Sequence, residues 1–318
     1  MPPVGEAPRR ALVTGGAGFI GRALAARLLG EGAEVTVLDD LSSGDASRLD
    51  RGARLMEGSV TDPGRVAEAM AGADAVFHLA AIASVARCNE DLAASHRVNL
   101  GGFVNVLEAA AARKQRPALV YASSAAVYGD NPETPLREDA RPRPLSPYGA
   151  DKLGCELHAS AAATVLGLRS TGLRFFNVYG PGQDPGSPYS GVISRFHKAA
   201  RLGEGVTIFG DGGQTRDYVF VEDVVAANAL ALAKRLDGGF NVGTGRETDV
   251  LHLANALLVA APAPVEVKHD APRQGEQRRS VIDPAKLSAH GWAPSVTVDE
   301  GLARTFRWFA GRHAAKHG

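Results

Sequence analysis

The chain has few cysteines, no excess of either charge and no long apolar run. Its 318 residues include 2 cysteines, and 35 basic residues balance 35 acidic ones. Without a charge excess, no overall field would attract nucleic acid or an anionic membrane. Cys88 and Cys155 stand far apart and outside any metal-ligand spacing. We therefore expect both to be packing residues in a reducing compartment, with no metal site.

Membrane and export signals are also missing from the sequence. No run of about 18 apolar residues occurs, and residues 1–10 are too polar for a signal peptide. We therefore expect a cytoplasmic protein. With 37 glycines and many alanines, the composition is typical of a tightly packed α/β enzyme, and the length allows one large or two modest domains.

A glycine-rich turn between a strand and a helix is the first motif of the chain. The apolar strand Arg10–Thr14 runs into GGAGFIG at 15–21, and a second strand, Glu34–Leu38, ends at Asp39. Bare backbone at a helix N-terminus can bind a pyrophosphate, and the later acid can accept ribose hydroxyls. A carboxylate repels the 2′-phosphate of NADP, so Asp39 favours NAD. The predicted cofactor residues here are Gly15, Gly18, Phe19, Ile20, Gly21 and Asp39.

Strands and helices continue to alternate beyond this unit. Residues 54–62 are predicted to form a strand that ends at Asp62, and residues 74–81 to form a central strand. His78 lies inside the second strand, where a core role is more common for histidine than a catalytic one. The end of this strand would lie against the dinucleotide through Leu79, Ala80 and Ala81.

The middle of the chain adds a long helix and another buried strand. The helix is predicted at about 92–113, and the strand at 118–122 ends in Ser123 and Ser124. Ligands of open parallel sheets bind at the carboxyl ends of the strands, so we expect Ser124 to be functional. The alternation as a whole predicts an α/β fold with a doubly wound, Rossmann-like parallel sheet.

Tyr148 and Lys152 are the strongest candidate catalytic pair. Ser146 and Pro147 favour a helix start, which places Tyr148 and Lys152 on one helix face. A nearby cation favours the phenolate form of tyrosine, which could then act as a general base. This spacing is common by chance, so the prediction depends on the dinucleotide signature elsewhere in the chain.

Five motifs together resemble one superfamily. They are TGGAGFIG at 14–21, HLAA at 78–81, SSAAVYG at 123–129, SPYGADK at 146–152 and FFNVYGP at 175–181. In this combination the chain resembles the extended short-chain dehydrogenase/reductases, and within them the nucleotide-sugar epimerases of the UDP-glucose (UDP-galactose) 4-epimerase type. The resemblance covers nearly the whole chain. It implies an isomerase that uses NAD and a UDP-sugar.

The resemblance also implies roles for individual residues. Ser124 would be the catalytic hydroxyl, Tyr148 the base and Lys152 its modulator, with Lys152 also holding the nicotinamide ribose. The Asp62 region would lie at the adenine, and Arg22 with the amides of the glycine turn at the pyrophosphate. The implied substrate residues are Ser84, Ser124, Asn177, Val192, Thr207, Phe209, Arg216, Arg273, Glu276 and Ser280.

Domain organisation and assembly follow from the same resemblance. Residues 1–180, with a returning segment at about 215–245, would form the NAD-binding domain. Residues 181–214 and 246–318 would form a smaller, interleaved C-terminal α/β domain for the UDP-sugar. The helices predicted at 92–113 and 148–166 would pair with the same helices of a second subunit, giving a homodimer.

The choice among the reactions of this superfamily depends on two alanines. Related 4,6-dehydratases carry Asp-Glu at the positions of Ala125 and Ala126, and decarboxylating relatives carry Glu at the second. A methyl group cannot transfer a proton, so steps at C5 or C6 lack their acid and base. We therefore expect a 4-epimerase that interconverts UDP-glucose and UDP-galactose.

Several alternatives stay open at this point. Ser280 stands where glucose-restricted relatives carry Tyr, so N-acetyl sugars should be tolerated. A UDP-N-acetylglucosamine or UDP-glucuronate 4-epimerase is the closest rival, although Asp184 would repel a uronate. Other classes are an NAD-binding regulatory protein and an NADP-linked reductase. Gly182 replaces the arginine that is common after Gly-Pro in the family, and the sequence does not explain this difference.

Overall fold

The computed structural model describes residues 7–184, 191–202, 204–260, 265–272 and 278–314. In chain order, the strands of this described part are β1 (Arg10–Thr14), β2 (Glu34–Asp39), β3 (Arg54–Glu57), β4 (Ala75–His78), β5 (Ala118–Ser124), β6 (Ser170–Phe175), β7 (Asn177–Tyr179), β8 (Val206–Phe209), β9 (Thr215–Arg216), β10 (Tyr218–Phe220), β11 (Gly238–Val242), β12 (Thr248–Asp249), β13 (Val267–Asp270) and β14 (Arg279–Ser280). The α-helices are α1 (Phe19–Gly30), α2 (Pro63–Ala69), α3 (Val85–Glu90), α4 (Leu92–His96), α5 (Gly102–Ala111), α6 (Pro147–Leu166), α7 (Val192–Leu202), α8 (Val221–Ala233), α9 (Val250–Ala260), α10 (Ala285–Ser288) and α11 (Val298–Ala314).

One seven-stranded sheet dominates the fold. Its strand order is β11-β6-β5-β4-β1-β2-β3, and every neighbouring pair is parallel. The reversal of strand order between β1 and β4 is the topological switch point at which doubly wound sheets bind their ligands. The predicted α/β class with a Rossmann-like parallel sheet is therefore confirmed.

Helices cover both faces of this sheet, because its strands are apolar on both sides. Leu24 and Leu28 of α1 and Val224 of α8 are buried in the core on one face. On the other face, α2, α5 and α6 contribute Val66, Phe103 and Cys155. Cys88 and Cys155 are both buried free thiols.

Smaller sheets form the C-terminal part. They pair β7 with β10, β8 with β13, and β9 with both β12 and β14. Residues 238–242 return to the large sheet beside β6, as an interleaved arrangement requires. Among the helices of the described ranges, none has the length and apolar character needed to cross a bilayer.

Two predicted elements have different bounds in the structure. The predicted helix at 92–113 is divided into α4, a π-helical turn at Arg97–Gly101, and α5. The π turn directs Asn99 inward, where its Oδ1 accepts the N–H of Ile82 at 2.7 Å. The predicted strand at 54–62 ends at Glu57, because Asp62 instead caps the first turn of α2.

Candidate active site

The glycine turn after β1 is packed too closely for side chains. A Cβ on Gly21 would lie 2.2 Å from the carbonyl oxygen of Gly15, and one on Gly15 would lie 2.6 Å from the nitrogen of Ala80. Gly15 also has a φ of 69°, which disfavours other residues. Among the described residues, no side chain caps the first turn of α1. The predicted residues Gly15, Gly18, Phe19, Ile20 and Gly21 thus form a close-packed backbone cradle at the N-terminus of α1, where the first helical N–H groups can bind a pyrophosphate.

Asp39 lies beside this cradle at the carboxyl end of β2. It is 8% exposed and accepts the N–H groups of Ala17 and Leu41, each at 2.9 Å. Burial raises the pKa of Asp39 above its ordinary value, although the two N–H donors partly oppose this shift. This is the position in which a βαβ unit presents an acid to a ribose. Asp62, predicted to lie near the adenine, is the cap of α2.

The segment after β4 forms the other wall of the cradle. Thr14 accepts the N–H of Leu79 through its carbonyl at 3.0 Å and that of Ala80 through its hydroxyl at 3.3 Å. The same hydroxyl lies 2.8 Å from Nδ1 of His78. Burial, and then the charge of Lys152, lower the pKa of His78 to about 3. His78 is therefore a neutral core residue, and the backbone of Leu79 and Ala80 lies directly against Gly15, whereas the predicted role of Ala81 stays a prediction.

Helix α6 carries Tyr148 and Lys152 to the carboxyl end of β5. Ser146 caps the helix by accepting the N–H of Gly149 at 3.1 Å. A Cβ on Gly149 would lie 2.5 Å from the carbonyl oxygen of Ala126, so the first turn packs directly on the turn that follows Ser124. The absence of a side chain at Gly149 therefore brings Tyr148 and Ser124 to the same end of the sheet.

Lys152 is the most constrained member of this group. It is 1% exposed, and its Nζ donates to the carbonyl oxygen of Ala122 at 2.8 Å. The same Nζ lies 5.8 Å from the ring centroid of Tyr148. The hydroxyl of Ser124 accepts the N–H of Ala126 at 3.1 Å. The structure thus brings together Ser124, Tyr148 and Lys152 from a strand end and one helix face.

A cavity of about 390 Å³ lies where the substrate was predicted. Asn177, which follows β6, the neighbour of β5 in the sheet, is part of its wall. Guanidinium, amide, hydroxyl and aromatic groups all line it, which suits a nucleoside diphosphate. The predicted substrate residues in its wall are Asn177, Val192, Thr207, Phe209 and Arg216.

Other predicted substrate residues do not line this cavity or cannot be placed. Ser280 is buried in β14 and pairs in register with Arg216. Ser84 caps α3 by accepting the N–H of Arg87 at 3.2 Å. Arg273 and Glu276 lie outside the described residues.

Sequence reasoning missed some residues of the cavity wall. Arg195, Gln214 and Tyr218 line it beside the predicted residues. Arg195 follows Val192 by one helical turn of α7, a spacing that places both on one face. The periodicity of this helix could have indicated Arg195, although not which face meets the cavity.

Gly182 lies in the segment after β7, beside the start of α1. Its carbonyl oxygen accepts N–H groups from Arg22 at 2.8 Å and Arg48 at 3.0 Å. Arg22 also donates to the carbonyl of Gly18 at 3.1 Å. With a φ of 102°, Gly182 has a backbone conformation that an arginine would rarely adopt. Arg22, predicted to meet the pyrophosphate, thus lies between the cradle and the segment after β7.

This fold and cleft belong to an identified class of proteins. The model of the NAD dependent epimerase/dehydratase family matches residues 11–243. That match covers most of the chain, so the protein is a member of this NAD-dependent family, as the motifs predicted. The glycine cradle and Asp39 fit its cofactor, NAD.

Three relatives place the chain within the family. It is 40% identical to the UDP-glucose 4-epimerase of Mycolicibacterium smegmatis, over 94% of this chain and 98% of the relative. The UDP-glucose 4-epimerase of Thermus thermophilus, solved with NAD, is 41% identical with a TM-score of 0.88, covering 95% of this chain and 99% of that one. The Thermotoga maritima UDP-glucose 4-epimerase, solved with UDP-glucose, is 38% identical with a TM-score of 0.90, covering 96% and 99%.

Proposed function

We propose that this protein is an NAD-dependent 4-epimerase that interconverts UDP-glucose and UDP-galactose through a transient 4-keto sugar. The observation that carries the proposal is the assembly of Ser124, Tyr148 and Lys152 at the sheet edge that also bears the glycine cradle. The cavity proposed for the nucleotide is lined in part by Asn177, which follows the neighbouring strand β6. Family membership and the three UDP-glucose 4-epimerases support the same reaction.

The residues of the cleft have distinct tasks in this reaction. Tyr148 removes the proton of the sugar O4 hydroxyl, directly or through Ser124, and later returns it. The ammonium of Lys152 is fixed by Ala122 and stabilises negative charge on the nearby phenol. The glycine cradle and Asp39 would hold NAD, which would supply reversible hydride transfer at C4 with no net consumption of reductant.

The turn after β5 argues for epimerisation over the other reactions of the family. Ala125 and Ala126 form a short 3₁₀ turn immediately after Ser124. Neither alanine can donate or accept a proton, so the turn supplies no acid or base for chemistry at C5 or C6. Proton transfer at O4 alone is sufficient for a 4-epimerase.

The cavity wall suggests how the UDP part is held. Arg216 suits the diphosphate, and Asn177 suits the diphosphate or the sugar. Phe209 and Thr207 of β8 would contact the uracil, with Val192 of α7 opposite. Arg273, Glu276 and Ser84 remain predictions of the resemblance for the diphosphate, the uridine ribose and the sugar.

Substrate breadth is proposed to depend on Ser280. Its strand β14 is paired with β9, so its small side chain is adjacent to Arg216 in the sheet. Ser280 does not itself line the cavity, so its proposed effect acts through the adjacent Arg216 in the wall: a small residue behind Arg216 would allow the wall to accept a 2-acetamido group, and UDP-N-acetylglucosamine would then also be a substrate. Asp184 carries a negative charge on the segment after β7, which disfavours UDP-glucuronate.

Assembly, domains and compartment are further parts of the proposal. Leu157 and Val165 of α6 are 63% and 79% exposed, and Leu92 of α4 is 58% exposed. Large apolar side chains on these helices support a homodimer that pairs them across an interface. We also propose the two-domain division into an NAD-binding part and a UDP-sugar part. Two free thiols, rather than a disulfide, suit the cytoplasm.

The proposed function is tested with purified protein and a panel of UDP-sugars. UDP-glucose, UDP-galactose, UDP-N-acetylglucosamine and UDP-glucuronate are incubated separately, and the epimers are resolved by chromatography. We expect turnover of the first two, slower turnover of the third, and NAD rather than NADP released on denaturation. Exclusive turnover of the glucuronate, or net consumption of reduced cofactor, would contradict the proposal.

A further inference from the structure

One face of α6 is joined to the end of β5 at successive residues. Lys152 donates to the carbonyl of Ala122 at 2.8 Å. One helical turn further on, Glu156 accepts the hydroxyl of Ser123 at 2.5 Å. Ser123 immediately precedes Ser124, and Glu156 lies on the same face as Tyr148 and Lys152. Two hydrogen bonds therefore connect the strand end that carries the catalytic hydroxyl with the helix that carries the base, and the one at Glu156 is made by the residue next to Ser124.

Glu156 is also paired with Arg174 of β6. Nε and one terminal nitrogen of Arg174 donate to the two carboxylate oxygens of Glu156, at 2.8 and 2.7 Å. The side chain of Glu156 is only 12% exposed, and that of Arg174 only 8%. Because the pairing uses both carboxylate oxygens, it fixes the orientation of the carboxylate as well as its position.

The pair extends into a buried network. The other terminal nitrogen of Arg174 donates to the hydroxyl of Tyr128 at 2.6 Å, and that hydroxyl donates to Oδ1 of Asn241 at 2.7 Å. Burial would lower the pKa of Arg174, but the hydrogen bonds and charge of Glu156 raise it above its ordinary value. Burial raises the pKa of Tyr128 to about 12. The network thus has one fixed charge pair and a neutral phenol, and it joins β5, α6, β6 and β11.

Stability alone does not account for such a pair. Apolar residues of similar volume are often as stable as a buried ion pair, or more stable, because the charges lose their hydration. What the pair adds is a fixed geometry between neighbouring elements. Here the pair fixes α6, which carries Tyr148 and Lys152, to β6, and the hydroxyl of Ser123 links the same carboxylate to β5, which carries Ser124.

We propose that Glu156 is a positioning residue of the epimerase, holding Ser123, and through it Ser124, in register with Tyr148 and Lys152. This inference rests on the proposed function. Glu156 does not touch the substrate cavity, whose described walls come from other elements. Loss of the contact should therefore lower turnover and leave substrate affinity nearly unchanged.

The test uses Ser123→Ala and Glu156→Gln, measured for kcat and KM with UDP-glucose and for melting temperature. Ser123→Ala removes one hydroxyl and leaves the Glu156–Arg174 pair in place. We expect kcat to fall about tenfold in Ser123→Ala and by more in Glu156→Gln, because small misplacements of reacting groups slow the reaction strongly. In both variants KM should stay within about twofold of wild type, because neither residue lines the cavity. The double variant Glu156→Gln/Arg174→Met should regain melting temperature without regaining kcat, since it removes both buried charges.

Asp223→Asn is the matched control. Asp223 is also a buried carboxylate with several hydrogen bonds, but they go to Ser295 and Val296, away from the site. We expect this variant to lose melting temperature while keeping kcat. The positioning role is wrong if Ser123→Ala keeps full kcat, or if kcat in the Glu156 variants merely follows melting temperature as in the control. A wild-type protein that does not epimerise UDP-glucose would instead refute the proposed function.

Discussion

The cofactor side and the substrate side of the cleft are built in different ways. On the cofactor side, the key groups lie at the carboxyl edge of one parallel sheet, on the end of β2 and on helix α6 packed against β5, and they are buried, with Lys152 1% and Asp39 8% exposed. On the substrate side, the cavity wall comes from helix α7 and from short strands of two to four residues. Nearby charges such as Arg278 and Asp211 are more than half exposed.

This difference separates the chemistry from the recognition of the substrate. A long parallel sheet aligns all its strand ends at one edge, so a proton-transfer group placed there has little freedom. Short strands and exposed side chains can be altered without disturbing that edge. Changes on the cofactor side should therefore stop the reaction, whereas changes on the substrate side should alter which sugar is used.

The largest effect on turnover should come from Tyr148→Phe, which removes the proposed base from the cofactor side of the cleft. General acid–base groups contribute about 10²–10⁴-fold, so kcat should fall by about that factor, with NAD still bound. The control is Tyr121→Phe, because burial raises the pKa of Tyr121 far above its ordinary value and keeps it protonated in the core. A Tyr148→Phe enzyme with the turnover of wild type would contradict the mechanism.

Gly21→Ala should have the next largest effect, on cofactor binding. The new Cβ would lie 2.2 Å from the carbonyl oxygen of Gly15, so the backbone of the turn must move. Overpacking of this kind costs about 1–3 kcal/mol, which corresponds to about 5–150-fold weaker binding of NAD. Titration calorimetry with NAD measures it. Gly30→Ala is the matched control, since a Cβ there meets nothing within 4 Å, and it should bind NAD normally.

The contrast between the two sides also shows what sequence can predict. The turn at 15–21, the acid at Asp39 and the pair Tyr148–Lys152 were predictable, because each depends on local spacing along one strand or helix. The π turn at Arg97–Gly101 was not, since it depends on Asn99 reaching Ile82 in a separate segment. The sequence of 92–113 is typical of one continuous helix, so it does not indicate the extra residue that the π turn adds to the helical repeat.

Contacts between elements that are distant in the sequence could not be predicted from it either. Spacing places Lys152 beside Tyr148, but nothing local indicates that its ammonium binds the carbonyl of Ala122. The pairing of Glu156 with Arg174 joins a helix to a later strand, so neither residue drew attention in the sequence. Arg195 was missed because helical periodicity does not reveal which face meets a cavity.

Ser280→Tyr tests the substrate side of the cleft and should have a moderate effect on the choice between sugars. A ring at this position of β14, behind Arg216, would keep the wall from accepting a 2-acetamido group. We expect kcat/KM for UDP-N-acetylglucosamine to fall about tenfold relative to UDP-glucose. Both sugars are measured on the same preparation, and Ser280→Ala is the control because it keeps the volume. An equal loss for both sugars would argue that Ser280 serves the fold rather than specificity.

The smallest effect is expected for Asp211→Asn, in an ion pair of the substrate side. Asp211 and Arg278 share two hydrogen bonds of 2.7 and 2.8 Å, which hold the pKa of Asp211 well below its ordinary value. A lowered carboxylate pKa adds stability above the ordinary pKa of the group, and this stability is lost progressively as the pH falls below that value. Here solvent and salt screen the exposed pair, so this contribution should be nearly undetectable. The melting temperature of Asp211→Asn at neutral pH should match that of wild type in both low and high salt. Arg174→Gln is the comparison: it leaves Glu156 buried without its charged partner, so its melting temperature should be several degrees lower. A clear drop for Asp211→Asn at low salt would mean that the substrate side is held as firmly as the cofactor side.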